Sequence, residues 1–66
     1  MSPRRFAMRL RQIREHRGMT QEVLAEKIGV SRGYLSRLEM GRHDPPLSKL
    51  RKLAKALKVP VEELLK

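Results

Sequence analysis

The stretch Leu24-Ala25-Glu26-Lys27-Ile28-Gly29-Val30-Ser31-Arg32-Gly33-Tyr34-Leu35-Ser36-Arg37-Leu38-Glu39 decides the fold. Leu24, Ala25 and Ile28 recur at helical spacing on one side of a short joint, and Leu35 and Leu38 do so on the other. The joint itself is Gly29-Val30-Ser31. Gly29 breaks the first helix because it accepts a positive φ without steric cost. Ser31 offers a hydroxyl that can cap the free N–H groups of the next helix. So short a connection makes the two helices cross steeply. Ala25 must then be small, because the second helix of the pair packs close to it. Leu24, Ile28, Val30, Leu35 and Leu38 must be apolar to close the core between the two. Every one of these positions holds the type required, which a generic helical hairpin has no reason to do.

Moving toward the N-terminus, Phe6, Leu10 and Ile13 recur at i, i+4 and i+7 with charges between them, which predicts an amphipathic first helix. Gly18 stops it, with His16 and Arg17 in the last turn. Thr20 sits where its side chain caps a second helix running from about Gln21 to Ile28. Met19 and Leu24 are placed as a hydrophobic staple across that start. Toward the C-terminus, the third helix runs to about Met40 and Gly41 ends it. Gly41 to Pro46 is a loop, because Pro45 and Pro46 have no N–H to give a helical ladder. Leu47, Leu50, Leu53, Ala54 and Leu57 form a fourth stripe, Pro60 punctuates it, and Val61, Leu64 and Leu65 predict a short fifth helix. No strand-like alternation, repeat or low-complexity tract occurs. The expectation is an all-α fold of five short helices in one domain spanning residues 1–66.

The chain has 66 residues, with 16 Lys and Arg against 7 Asp and Glu and a net charge of +9. A core this small yields only about 3–5 kcal/mol, so such chains often lean on disulfides, metals or a partner subunit. With no cysteine, disulfides and thiolate metal sites are excluded. His16 and His43 lack carboxylates at ligand spacing, so neither metal nor cofactor is expected. Dimerisation is the staple left over. Catalysis is not expected either: there is no Gly-rich phosphate loop and no nucleophile–base pair. No apolar run is long enough to cross a bilayer and no signal peptide is seen, which makes the cytoplasm the default compartment. The charge excess attracts polyanions, nucleic acid first. Arg4, Arg5, Arg9, Arg11, Arg14 and Arg17 crowd the first helix, and Lys49, Arg51, Lys52, Lys55 and Lys58 crowd the fourth. One Phe and one Tyr are too few for an RNA reader's stacking platforms. The first helix also spends its apolar residues on the core, which argues against a membrane-lying role.

The stretch from Leu24 to Glu39 resembles the phage-repressor/Cro-like (Xre) helix-turn-helix family. The resemblance extends from Leu10 to Leu65. It includes Gly18-Met19-Thr20-Gln21, Pro45, Leu53-Ala54-Lys55-Ala56-Leu57 and the run from Val59 to Leu65. It implies an all-α, five-helix, lambda-repressor-like domain with the helix-turn-helix at its second and third helices. It also implies binding to double-stranded operator DNA, usually as a homodimer, with the third helix in the major groove. The expected function is a sequence-specific DNA-binding transcriptional regulator, repressor-like, on a pseudo-palindromic operator. The alternative is an antitoxin or adaptor whose main partner is another protein.

Carried over by position, the resemblance puts Arg32, Gly33, Ser36 and Arg37 where base-reading side chains sit. A guanidinium at the start of a groove-lying helix can bond bidentately to O6 and N7 of guanine, worth about 1–3 kcal/mol of discrimination. Arg32 and Arg37, five residues apart, are displaced along the helix and should reach different base pairs; the competing role is a solvated surface charge. Gly33 suits a close backbone approach to DNA, or is neutral. Tyr34 should point away from the Leu35/Leu38 face, toward a phosphate, a thymine methyl group or a partner's surface. Gln21 matches a phosphate contact that also braces the recognition helix, and helix N-termini favour phosphate. Thr20, Ser31, Tyr34 and Arg42 are the further backbone contacts.

Arg14 and Glu39 match an ion pair between the first and third helices that orients the recognition helix; the rival for Arg14 is a simple exposed charge. Val61, Leu64 and Leu65 are the expected dimer interface. Four departures from the family pattern stand out. Pro46 and Pro60 replace small capping residues, leaving Asp44 to cap the fourth helix. Lys58 replaces a helix-ending Gly and strains that turn, and Met40 removes one polar contact near the phosphates.

Overall fold

Each helix starts where a residue satisfies its free N–H groups or is shaped to begin a helix. The computed structural model describes residues 2–66, with α1 Pro3–His16, α2 Gln21–Ile28, α3 Arg32–Glu39, α4 Leu47–Leu57 and α5 Val61–Leu64. The Ser2 hydroxyl oxygen accepts from the Arg5 N–H at 3.1 Å, and Pro3 opens the first turn. Thr20 accepts from Val23 and Ser31 from Tyr34, each capping its helix.

The two proline starts behave differently. Pro46 and Pro60 stand at the N-cap positions of α4 and α5, and neither helix has a side-chain cap. Asp44 does not cap α4, contrary to expectation, and is exposed. It lies two residues upstream of the N-cap, whereas the capping oxygen belongs to the N-cap residue itself. The Pro46 carbonyl instead accepts from Lys49 and Leu50, both at 3.0 Å.

Two helix endings carry information beyond the stop itself. Gly41 has φ +74°, and a Cβ built there would stand 3.1 Å from the Arg4 Cα, so the end of α3 abuts the start of α1 with no room for a side chain. Lys58 takes the left-handed conformation at φ 58° despite its side chain, and the tight turn forms. Its Val59 neighbour donates to Ala54 O at 3.0 Å, and Arg17 Nη2 reaches the Lys58 carbonyl at 3.4 Å.

One hydrophobic core joins all five helices, and its fully buried members are Phe6, Leu10, Leu24, Leu35, Leu38, Leu53, Leu57 and Leu64. α3 packs on α1 and α2, α4 packs on α2, and α5 lies against α1 and α4. Leu64 therefore corrects the expected dimer interface: it is 0% exposed within its own chain and has no surface left for a partner. Leu65, about 100° further round the helical wheel, is 42% exposed, and Val61 is half-buried against the core. Arg9 holds this arrangement from α1, donating from Nε to the Glu63 carbonyl at 2.8 Å. Among the described residues no helix is long and apolar enough to cross a membrane.

Candidate nucleic-acid interface

The site is built from the inside out, starting with Arg14. Its side chain is 9% exposed and faces Glu39, which is 3% exposed, across the α1–α3 contact. Arg14 Nε donates to Glu39 Oε2 at 2.6 Å and Nη2 to Oε1 at 3.0 Å, a two-pronged pairing that fixes both planes. The remaining arm, Nη1, donates to the Met19 carbonyl at 2.6 Å. Gln21 Nε2 adds a bond to Glu39 Oε1 at 3.1 Å. One carboxylate thus ties the end of α3 to α1 and to the start of α2. The hydrogen bond to Glu39 raises the Arg14 pKa further above its ordinary value, against the opposing effect of burial. No buried side-chain nitrogen or oxygen among the described residues is left without a partner.

The opposite end of α3 is open. Ser31 and Thr20 use their oxygens as caps, which leaves each hydroxyl hydrogen for an outside acceptor. Arg32 is exposed, and its Nε lies 3.9 Å from Glu22 Oε1, a long contact between two exposed groups that is worth little. Arg37 is exposed and has no ion-pair or side-chain hydrogen-bond partner among the described residues. Its Nη1 lies 3.4 Å from the place a Cβ on Gly33 would occupy. The guanidinium therefore reaches back one turn toward the helix start, instead of standing further along the axis as the five-residue spacing suggests. Ser36 is half-buried and its hydroxyl faces Met40 Sδ at 3.8 Å, a weak contact. Met40 is 61% exposed and Arg42 is also exposed.

Tyr34 departs from expectation. It is half-buried against the core, with its ring 5.3 Å from that of His43 and tilted by 46°. The loop after α3 folds back to meet it, so this residue joins α3 to that loop. The contacts of Arg9 with Glu63 and of Arg17 with Lys58 were not foreseen either. They link positions 54 and 41 residues apart, and no spacing rule carries such a signal.

Thr20, Gln21, Ser31, Arg32, Gly33 and Arg37 thus gather around the N-terminal ends of α2 and α3. There, free N–H groups and guanidinium donors favour anionic oxygens and the acceptor edge of guanine. Two short helices crossed at a three-residue joint, with an inner brace and an open cationic end, define a helix-turn-helix domain of lambda-repressor-like fold. Residues 10–64 match the family model described as Helix-turn-helix, and the chain belongs to that family. An uncharacterised HTH-type transcriptional regulator of Methanothermobacter thermautotrophicus is 50% identical over 48 residues, which cover 68% of this chain and 70% of that protein. The restriction-modification controller protein C.AhdI from Aeromonas hydrophila superposes with a TM-score of 0.90 at 37% identity, covering 94% of both chains. The biofilm master regulator SinR, from Bacillus subtilis and solved in complex with DNA, gives a TM-score of 0.86 at 35% identity, covering 92% of this chain and 98% of that one.

Proposed function

We propose that this protein is a sequence-specific DNA-binding regulator of transcription, working in the cytoplasm as a twofold homodimer on a pseudo-palindromic operator. The observation that carries the reading is the contrast within α3: one end is locked by Arg14, Glu39 and Gln21, while the other presents Arg32 and Arg37 to solvent. Such a helix is held rigidly and offers donors outward, as insertion into a major groove requires. Arg32 and Arg37 read bases in this scheme, with Gly33 and Ser36 beside them. Thr20, Gln21, Ser31, Tyr34 and Arg42 flank the phosphates. Val61 and Leu65 remain available to a twofold contact, and Leu64 supports them from inside. The reading assigns the protein no catalytic step. The compared proteins are named as regulators and as a controller protein, so the antitoxin or adaptor alternative is not favoured.

The test is selection of bound sequences from a random duplex pool at near-physiological salt, with the mass of the complex recorded. An inverted repeat is expected, with half-sites one helical turn apart, about 34–36 Å, and two chains per duplex. Arg32→Ala should relax base choice, whereas Gln21→Ala should weaken all sequences alike. Log K should fall linearly with log salt. Binding with no enriched sequence would overturn the reading.

A further inference from the structure

We infer that Gly33 is a specificity-determining position that acts through Arg37, by leaving open the path along which the Arg37 guanidinium reaches back to the start of the recognition helix. The inference rests on the DNA-binding reading above and deepens it.

Residues four apart lie on the same face of a helix, and a long side chain on that face leans toward the N-terminus. Arg37 therefore leans over residue 33. Because residue 33 is a glycine, nothing fills that space: a Cβ would meet Arg37 Nη1 at 3.4 Å and Ser31 Oγ at 3.9 Å. The glycine has no backbone reason to be there, since no left-handed φ is recorded for it. In a helix it is a poor choice on propensity alone.

A second observation points the same way. The guanidinium comes to the positive end of the helix, where a cation is disfavoured, and finds no acceptor among the described residues. Arg32, by contrast, has Glu22 nearby. Being exposed, the guanidinium is hydrated in the free protein and keeps its donors available to an acceptor on DNA. The Gly33 gap lets the Arg37 guanidinium lie beside the first turn, and in this proposal it addresses the DNA from the same end of α3 as Arg32.

The side chain at position 33 then sets where Arg37 can read. Alanine only touches the guanidinium at ordinary contact distance. Leucine fills the path and turns the guanidinium aside.

The experiment repeats the random-duplex selection with the wild-type protein, Gly33→Ala, Gly33→Leu, Arg37→Ala and the double variant Gly33→Leu/Arg37→Ala. Arg37→Ala identifies the base position that Arg37 reads, by loss of preference there. Expected at that position is a preference kept within about threefold by Gly33→Ala and reduced about tenfold or more by Gly33→Leu. In the Arg37→Ala background, Gly33→Leu should make no further difference. Thermal unfolding of each variant separates base choice from folding, because a purely structural effect would weaken all sequences equally. Unchanged preference in Gly33→Leu overturns the inference while leaving the regulator reading intact. A new preference that persists without Arg37 also overturns it, since the leucine would then be reading bases itself. Failure of the wild-type protein to enrich any sequence overturns the regulator reading and this inference together.

Discussion

Arg14 and Arg37 are the same residue type set at opposite ends of one short helix's surroundings, and their environments could hardly differ more. Arg14 makes three hydrogen bonds, two to Glu39 and one to the Met19 carbonyl, and is nearly sealed from solvent. Arg37 is exposed and has no such partner among the described residues. The difference teaches where each can act. A guanidinium whose donors are satisfied inside the chain orients the helix, and one whose donors are free has its binding capacity to offer elsewhere.

The largest expected effect breaks the inner side of this comparison. Arg14→Ala leaves the Glu39 charge buried with only the Gln21 amide to meet it and should cost about 3–5 kcal/mol, close to the whole stability of so small a domain. Arg14→Met combined with Glu39→Leu removes both charges and should recover most of that loss in urea unfolding. Recovery would show that the pair specifies the orientation of α3 more than it stabilises the fold.

Leu64 and Leu65 sharpen the same division at the other end of the chain. Leu64→Ala should destabilise by about 2–5 kcal/mol at any protein concentration, as a core truncation does. Leu65→Ala should leave the unfolding of the single chain within about 0.5 kcal/mol and instead reduce the two-chain mass of the DNA complex. Concentration-dependent loss in Leu64→Ala would contradict its place in the core.

On the outer side, Arg37→Ala should leave the unfolding curve unchanged and lose about 1–3 kcal/mol of discrimination at one base position, read by competition binding. Lys58→Gly tests a smaller effect. A left-handed conformation costs a side-chain-bearing residue about 1–2 kcal/mol, and glycine's greater freedom when unfolded returns part of it. A net gain of about 0.5–1 kcal/mol is expected, with the Arg17 contact kept because it is made to the backbone carbonyl.

Smallest of all is the exposed end of α5. The hydrogen bond from Lys66, then its charge and more weakly that of Arg9, hold the Glu63 carboxyl below its ordinary range. A lowered folded pKa contributes stability above the ordinary carboxylate pKa that is lost as pH falls through the lowered value. Glu63→Gln should therefore lower the neutral plateau of a stability–pH profile slightly, flatten the acid limb by the same amount, and leave stability below the lowered pKa unchanged.

The helices were legible because their signals are local. Thr20 and Ser31 cap by reaching three residues ahead, and Gly29 ends α2 through its own φ. The buried leucines of α2, α3 and α4 follow from spacing, but Leu47, counted in the same α4 stripe, stands at the first position of its helix and is 58% exposed. The resemblance added the pairing of Arg14 with Glu39, which no spacing rule would have joined across 25 residues. Less could be read where two orientations satisfied the same pattern. Val61, Leu64 and Leu65 form one apolar cluster in sequence, and only the docking of α5 on α1 and α4 decides which of them turns inward.

The sequence by itself determined five helices, the steep joint at Gly29-Val30-Ser31, the core stripes and a cationic surface, because periodicity, capping and charge are properties of short stretches. The tertiary structure alone decided that Leu64 is core and Leu65 surface, that Tyr34 meets His43, and that Gly41 must leave space for Arg4. It also decided that Arg37 reaches back over Gly33 without an internal partner. These outcomes depend on which helices come to lie against one another, and packing distance is not written in sequence distance.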